Sequence, residues 1–162
     1  MPDSISDVME RVLDRMRNLC SRREYCRSDI MKKVMKALEG DREKAEKVVE
    51  ALVAEKYLDE FRYASAFARD KAALSGWGQT KIRYMLSAKG VPGDVIDRAL
   101  EEIDESKAGQ RLEKLMENKF KVLKDDPQCR LKMLRFGLSR GYAYDEIQRE
   151  YEKLQKTYRS RN

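Results

Sequence analysis

The sequence predicts an all-α protein of three tandem three-helix repeats of about 51 residues, forming an elongated, curved, right- or left-handed array. Three observations point there. Apolar residues recur with helical spacing: Ile5, Val8, Met9, Val12, Leu13, Met16, Leu19 and Cys20 make one stripe along four turns. Strict period-2 alternation is missing, so strands are not expected. The pattern also repeats every 51 residues. Met31, Ile82 and Met133 share a register, as do Val34, Met85 and Phe136, and Ala45, Ile96 and Ile147. Val49, Leu100 and Tyr151 follow, then Leu52, Ile103 and Leu154. Gly90 and Gly141 keep the same interval, followed by Asp94 and Asp145.

The first repeat, 1–58, is expected to hold helices over 4–20, 28–39 and 42–55. Ser4 with Asp7 three residues on reads as a variant capping box for the first. The second repeat, 59–105, holds helices over 60–74, 79–89 and 94–104. Gly76-Trp77-Gly78 separates two of them, and Gly90 suits the left-handed residue that closes a helix. The third, 106–162, holds helices over 107–123, 128–140 and 145–158, with Pro127 where a helix can start. A three-helix unit of this size is marginal alone, so units that share apolar faces are the expected solution.

Composition narrows the function. The 162 residues are 41% hydrophobic and 40% charged, enough to build a core. No apolar run approaches the roughly 20 residues of a membrane span. The polar, acidic start resembles neither a secretory signal nor a transit peptide, so a cytoplasmic protein is expected. There is no histidine, which removes the commonest general base. Cys20, Cys26 and Cys129 form neither a disulfide framework nor a zinc motif. The dinucleotide, P-loop, EF-hand and HExxH patterns are absent. No catalytic residue, metal site or cofactor is expected, and the chain reads as a non-enzyme.

The net charge of +6 is uneven: +1 over 1–58, −2 over 59–105 and +7 over 106–162. The middle helices of the repeats are basic, with Lys32, Lys33 and Lys36, then Lys81, Arg83 and Lys89, then Arg130, Lys132, Arg135 and Arg140. The third helix of the second repeat is acidic. Such segregation suits a polyanionic or acidic partner.

Tyr57-Leu58-Asp59-Glu60-Phe61-Arg62-Tyr63-Ala64 resembles the Tyr-Leu-Asp-Asp-x-Arg-Phe-Ala signature of the RecX family. Gly76-Trp77-Gly78, the run Lys81-Ile82-Arg83-Tyr84-Met85-Leu86 and Lys89-Gly90-Val91 follow in that family's order. Arg27-Ser28 resembles its early Arg-Ser, and Arg140-Gly141-Tyr142 with Ile147 its closing segment. The resemblance runs from about residue 10 to 155. It implies three three-helix repeats and a regulator of RecA, the recombinase that polymerises on single-stranded DNA. Such a regulator binds in the filament groove, inhibits strand exchange and ATP hydrolysis, and also contacts DNA. This sequence departs from the family in having Glu60 for Asp, Tyr63 for Phe, and Gly137 for a leucine. The last suggests looser packing in the third repeat.

The motif has an architectural reading beside the functional one. Tyr57 and Leu58 would pack at a junction. Asp59 would cap the next helix, Arg62 would pair with a carboxylate such as Asp59, and Tyr63, Ala64 and Phe67 would face the core. Trp77 reads equally as a partner anchor or a core plug. The interaction candidates are Arg22, Arg23, Arg27, Lys32, Lys81, Arg83, Tyr84, Lys89, Arg130, Lys132, Arg135 and Arg140. Lys81 and Tyr84 are expected on one helix face, away from the Ile82, Met85, Leu86 stripe. The partner implied is the RecA filament on single-stranded DNA, with direct DNA contact, no membrane, and a monomeric chain. The alternative is a sequence-nonspecific DNA-binding helical repeat protein.

Overall fold

The computed structural model describes residues 2–160, with side chains from residue 7. Among the described residues there are nine helices and no strand: α1 (Pro2–Arg22), α2 (Arg27–Ala37), α3 (Arg42–Ala54), α4 (Glu60–Ala73), α5 (Gln79–Ala88), α6 (Gly93–Glu101), α7 (Glu105–Leu123), α8 (Cys129–Ser139) and α9 (Tyr144–Ser160). Each end lies within three residues of the expected one. None of the fifteen residues in the five repeating apolar registers is exposed.

The chain forms two compact units: residues up to Ala66 with Leu86–Arg98, and Phe67–Met85 with the residues from Ala99 on. In the first, α1, α2 and α3 pack together. Val12, Leu13, Met16 and Cys20 from α1 meet Ile30, Val34 and Leu38 and the α3 residues Ala45, Val48, Val49 and Leu52. In the second, α7, α8 and α9 pack around Leu112, Met116, Phe120, Met133, Ile147, Tyr151 and Leu154. Burying a side chain such as Ile30 or Met133 is worth about 1.5–3 kcal/mol, so these stripes hold the helices together.

The capping chemistry is partly the expected one. Asp59 Oδ1 accepts the Arg62 N–H at 2.9 Å and opens α4. Asp41 and Asp104 cap α3 and α7 in the same way. At the start of the chain the expectation fails. Helix α1 begins at Pro2, so Ser4 lies inside it, and the side chains of Ser4 and Ile5 lie outside the described ones. Val8 is exposed. The 21-residue α1 is far longer than α2 and α3, of 11 and 13 residues, and its first turns outrun them. Pro127 falls in the turn before α8, whose N-cap is Gln128.

The left-handed helix-closing residue recurs in all three copies: Glu39, Gly90 and Gly141 share the 51-residue register, with φ of 54°, 81° and 92°. Gly137 corrects a sequence expectation. It is buried, and a Cβ there would lie 2.6 Å from Ile147 Cγ1. The missing side chain lets α8 and α9 close up, so the packing is tight there, not loose.

Candidate partner-binding surface

The repeated second helices α2, α5 and α8 end in a recurring joint. In the first unit Ser28 Oγ, at the start of α2, donates to the Lys89 carbonyl just past α5, at 2.7 Å. In the second unit the Gly78 N–H, just before α5, donates to the Arg140 carbonyl just past α8, also at 2.7 Å. Lys89 and Arg140 are 51 residues apart. A donor at the start of one helix, a hydroxyl in the first case and a backbone N–H in the second, thus satisfies an orphan carbonyl at the end of another. Thr80 N–H adds a bond to Gly141 O at 3.1 Å. A Cβ on Gly78 would collide with the Gly141 carbonyl, and one on Gly141 with Lys81, so both positions require glycine.

These joints tie down several of the candidate cations. Lys89 Nζ bonds Asp29 at 3.1 Å. Burial raises the Asp29 carboxyl, and the bonds from Lys89 and Cys26 more than offset that, holding it below its ordinary value. Lys81 is half-buried. Its Nζ sits 4.3 Å from the Trp77 ring centre and donates to the Ser139 carbonyl at 3.3 Å. This corrects the expected face: Tyr84 is 72% exposed while Lys81 turns inward. Lys132 bonds Asp126 at 2.6 Å, and Arg140 lies over Phe136 at 5.2 Å. Trp77 is half-buried, with Phe67 edge-on at 6.2 Å and Lys71 on its ring at 4.8 Å.

The remaining cations face solvent. Lys32 on α2, with its neighbours Lys33 and Lys36, and Arg130 and Arg135 on α8 are exposed and form no ion pair among the described residues. Arg22 and Arg27 are exposed, and Arg27 uses its backbone N–H on Glu60 Oε1 at 2.8 Å. Arg23 stacks on Tyr25 at 4.2 Å. Arg83 is exposed beside Tyr84 on α5. Two apolar residues outside the candidate set join the α8 cations: Leu131 and Leu138, 43% and 51% exposed. Their spacing of seven, off the Met133 and Phe136 stripe, was the signal available in sequence.

The motif residues are built into the first unit. Leu58 and Ala64 are buried, and Tyr57 packs half-buried on the core. Arg62 pairs with Glu24, not with the Asp59 carboxylate, through Nε at 2.7 and 2.8 Å. Its Nη2 donates to the Lys56 and Tyr57 carbonyls, which closes the end of α3. Burial, with Cys26 and Asp29 nearby, pushes the Tyr63 phenol up to about 12. The three cysteines are free and buried. Burial raises the thiols of Cys20 and Cys129. Among the described residues no group of His, Cys, Asp or Glu could hold a metal, and no helix is long and apolar enough to cross a membrane.

A groove of about 540 Å³ opens in the second unit, lined among others by Ile103, Ala108, Gly109, Leu112, Glu146 and Arg149. Its charges are mixed, with Glu105, Glu146 and Glu150 beside Arg149 and Lys153.

Among the described residues the class is thus an all-α helical protein with exposed cations on α2, α5 and α8. The family described as RecX, second three-helix domain, matches residues 59–100. A regulatory protein RecX of Prosthecochloris aestuarii is 35% identical over 133 residues, covering 82% of this chain and 85% of that one. The chain belongs to the RecX family. A RecX of Clostridium tetani is 30% identical over 118 residues, 70% of this chain and 54% of that one, so the chain spans about half the length of such relatives. The crystal structure of RecX from Lactobacillus salivarius shares the fold, with a TM-score of 0.80 at 19% identity, over 93% of this chain and 98% of that one.

Proposed function

We propose that this chain binds the RecA filament on single-stranded DNA through the solvent faces of α2, α5 and α8, and inhibits strand exchange and ATP hydrolysis during recombinational DNA repair. The repeats 1–58, 59–105 and 106–162 are the working units of this reading. The observation that supports it best is that Lys32, Arg130 and Arg135, on equivalent helices, are exposed, and that Arg130 and Arg135 form no ion pair among the described residues. The action is by occupancy: a bound regulator blocks duplex entry or slows filament growth. It needs no cofactor, and the protein acts in the cytoplasm as a monomer.

The test is to titrate the protein into RecA strand exchange and single-stranded-DNA-dependent ATPase assays, with binding to bare DNA in parallel. Inhibition well below the RecA concentration, with weak binding to bare DNA, is expected. No effect on RecA, together with tight, salt-sensitive DNA binding, would sink the reading. It would favour the alternative of a sequence-nonspecific DNA-binding repeat protein, which the all-lysine face of α2 supports.

A further inference from the structure

The solvent faces of the second helices are not chemically alike. On α2 the exposed face carries Lys32, Lys33 and Lys36, and both methionines, Met31 and Met35, are half-buried against the core. Its offer to a partner is positive charge alone. On α8 the exposed stripe runs Leu131, Arg135, Leu138, at i, i+4 and i+7. The two leucines are 43% and 51% exposed, and Arg130 lies at the same end of the helix as Leu131. Arg130 and Arg135 have no carboxylate partner among the described residues.

A phosphate backbone gains nothing from two leucines. Nor do unstacked bases, which pack on flat aromatic or guanidinium faces. A protein surface gains from both features: leucines supply area to desolvate, and arginine forks bind carboxylates bidentately. We infer that the exposed face of α8, built from Leu131, Arg135 and Leu138 with Arg130, is a protein-docking site for an acidic segment of the recombinase that also carries apolar side chains. The inference rests on the proposed function and assigns one of its faces to protein and not to DNA. The α2 face is the internal comparison: Lys33 and Lys36 stand in the registers of Arg135 and Leu138 and are exposed, with no apolar group beside them.

The test uses the full chain and two probes: the RecA filament on oligo(dT) with a slowly hydrolysed ATP analogue, and bare oligo(dT). Leu131→Ser with Leu138→Ser is expected to weaken filament binding by about tenfold and to leave bare-DNA binding unchanged. Arg135→Gln, a change on an exposed side chain with no ion pair among the described residues, should weaken filament binding by a larger factor than bare-DNA binding, and it still decides the matter if the serine pair loses helicity. Filament binding untouched by both variants, or bare-DNA binding that falls in step with it, would overturn the inference. So would wild-type self-association that the serine pair abolishes, since the face would then belong to a second copy. A wild-type chain that ignores the filament would defeat the proposed function and this inference together. That case is distinguished from the others because the unmutated protein itself fails to bind.

Discussion

Two of the residues that depart from the family pattern each make a prediction. Alanine in a helix is ordinarily about 1 kcal/mol better than glycine. At Gly137 the sign should reverse, because the new Cβ would press into the Ile147 side chain at 2.6 to 3.0 Å. Overpacking of this kind costs about 1–3 kcal/mol, so Gly137→Ala should lower the urea midpoint. An unchanged or higher midpoint would mean that α9 gives way freely. Tyr63 stands where the family has phenylalanine, and its phenol is raised to about 12. A raised phenol favours the folded state fully below its unfolded value near 10, and that contribution drains away as the pH climbs toward 12. Tyr63→Phe should therefore flatten part of the fall in stability between those limits, as read from thermal midpoints across the alkaline range. The same slope in both proteins would show that Tyr63 is not the group being titrated.

Between elements, the strongest prediction concerns how α4 is anchored. Arg62 ties its helix to Glu24 and to the end of α3 at once. With the pair partly exposed, Arg62→Ala should cost about 1 kcal/mol in urea unfolding, less than a buried pair would. Lysine should not rescue it, since it lacks the planar fork that reaches two kinds of acceptor. Rescue by lysine would reduce the tie to simple charge. The acid limb follows from similar ties. Arg17 lowers Glu55, and Lys132 lowers Asp126. Carboxyls depressed in this way stabilise the fold above their unfolded values and lose that effect as the pH drops through and below about 4. Stability should fall over that range, and Asp126→Asn should make the fall shallower. A full set of helices and the core registers were legible in the sequence, because burial at Met133 or Ile147 follows a period that the apolar residues alone reveal. Glu39 was not legible, since nothing in a glutamate announces a left-handed helix end. Nor were the bonds of Lys81 to Ser139 and of Arg62 to Glu24, whose partners lie 58 and 38 residues away in the chain. Tertiary approach decides which cations are tied down, so the candidate surface could be named from sequence but not sorted.

For the whole molecule, charge decides between the two functional readings. A net +6 with pI near 9.2 guarantees some attraction to any nucleic acid, so binding to DNA is not itself diagnostic. The salt slope is more informative, because each cation that displaces a counterion from single-stranded DNA contributes about 0.7 to the slope of log K against log salt. Lys32, Lys33 and Lys36 face solvent and form no ion pair among the described residues, so their loss should leave the fold intact. If the α2 face is where bare DNA sits, changing all three to glutamine should reduce the slope by about 2, with helicity by circular dichroism unchanged. Fluorescence anisotropy with labelled oligo(dT) over a potassium chloride series reads this directly. An unaltered slope with intact helicity would remove α2 from the DNA-contacting surface and leave the other exposed cations, Arg22, Arg23, Arg27, Arg83 and those of α7–α9 among them, as the source of the attraction. The same triple variant then separates the readings in the RecA assay. A chain that inhibits strand exchange only by coating DNA should lose inhibition in proportion to its lost DNA affinity. A chain that recognises the filament protein should keep most of it.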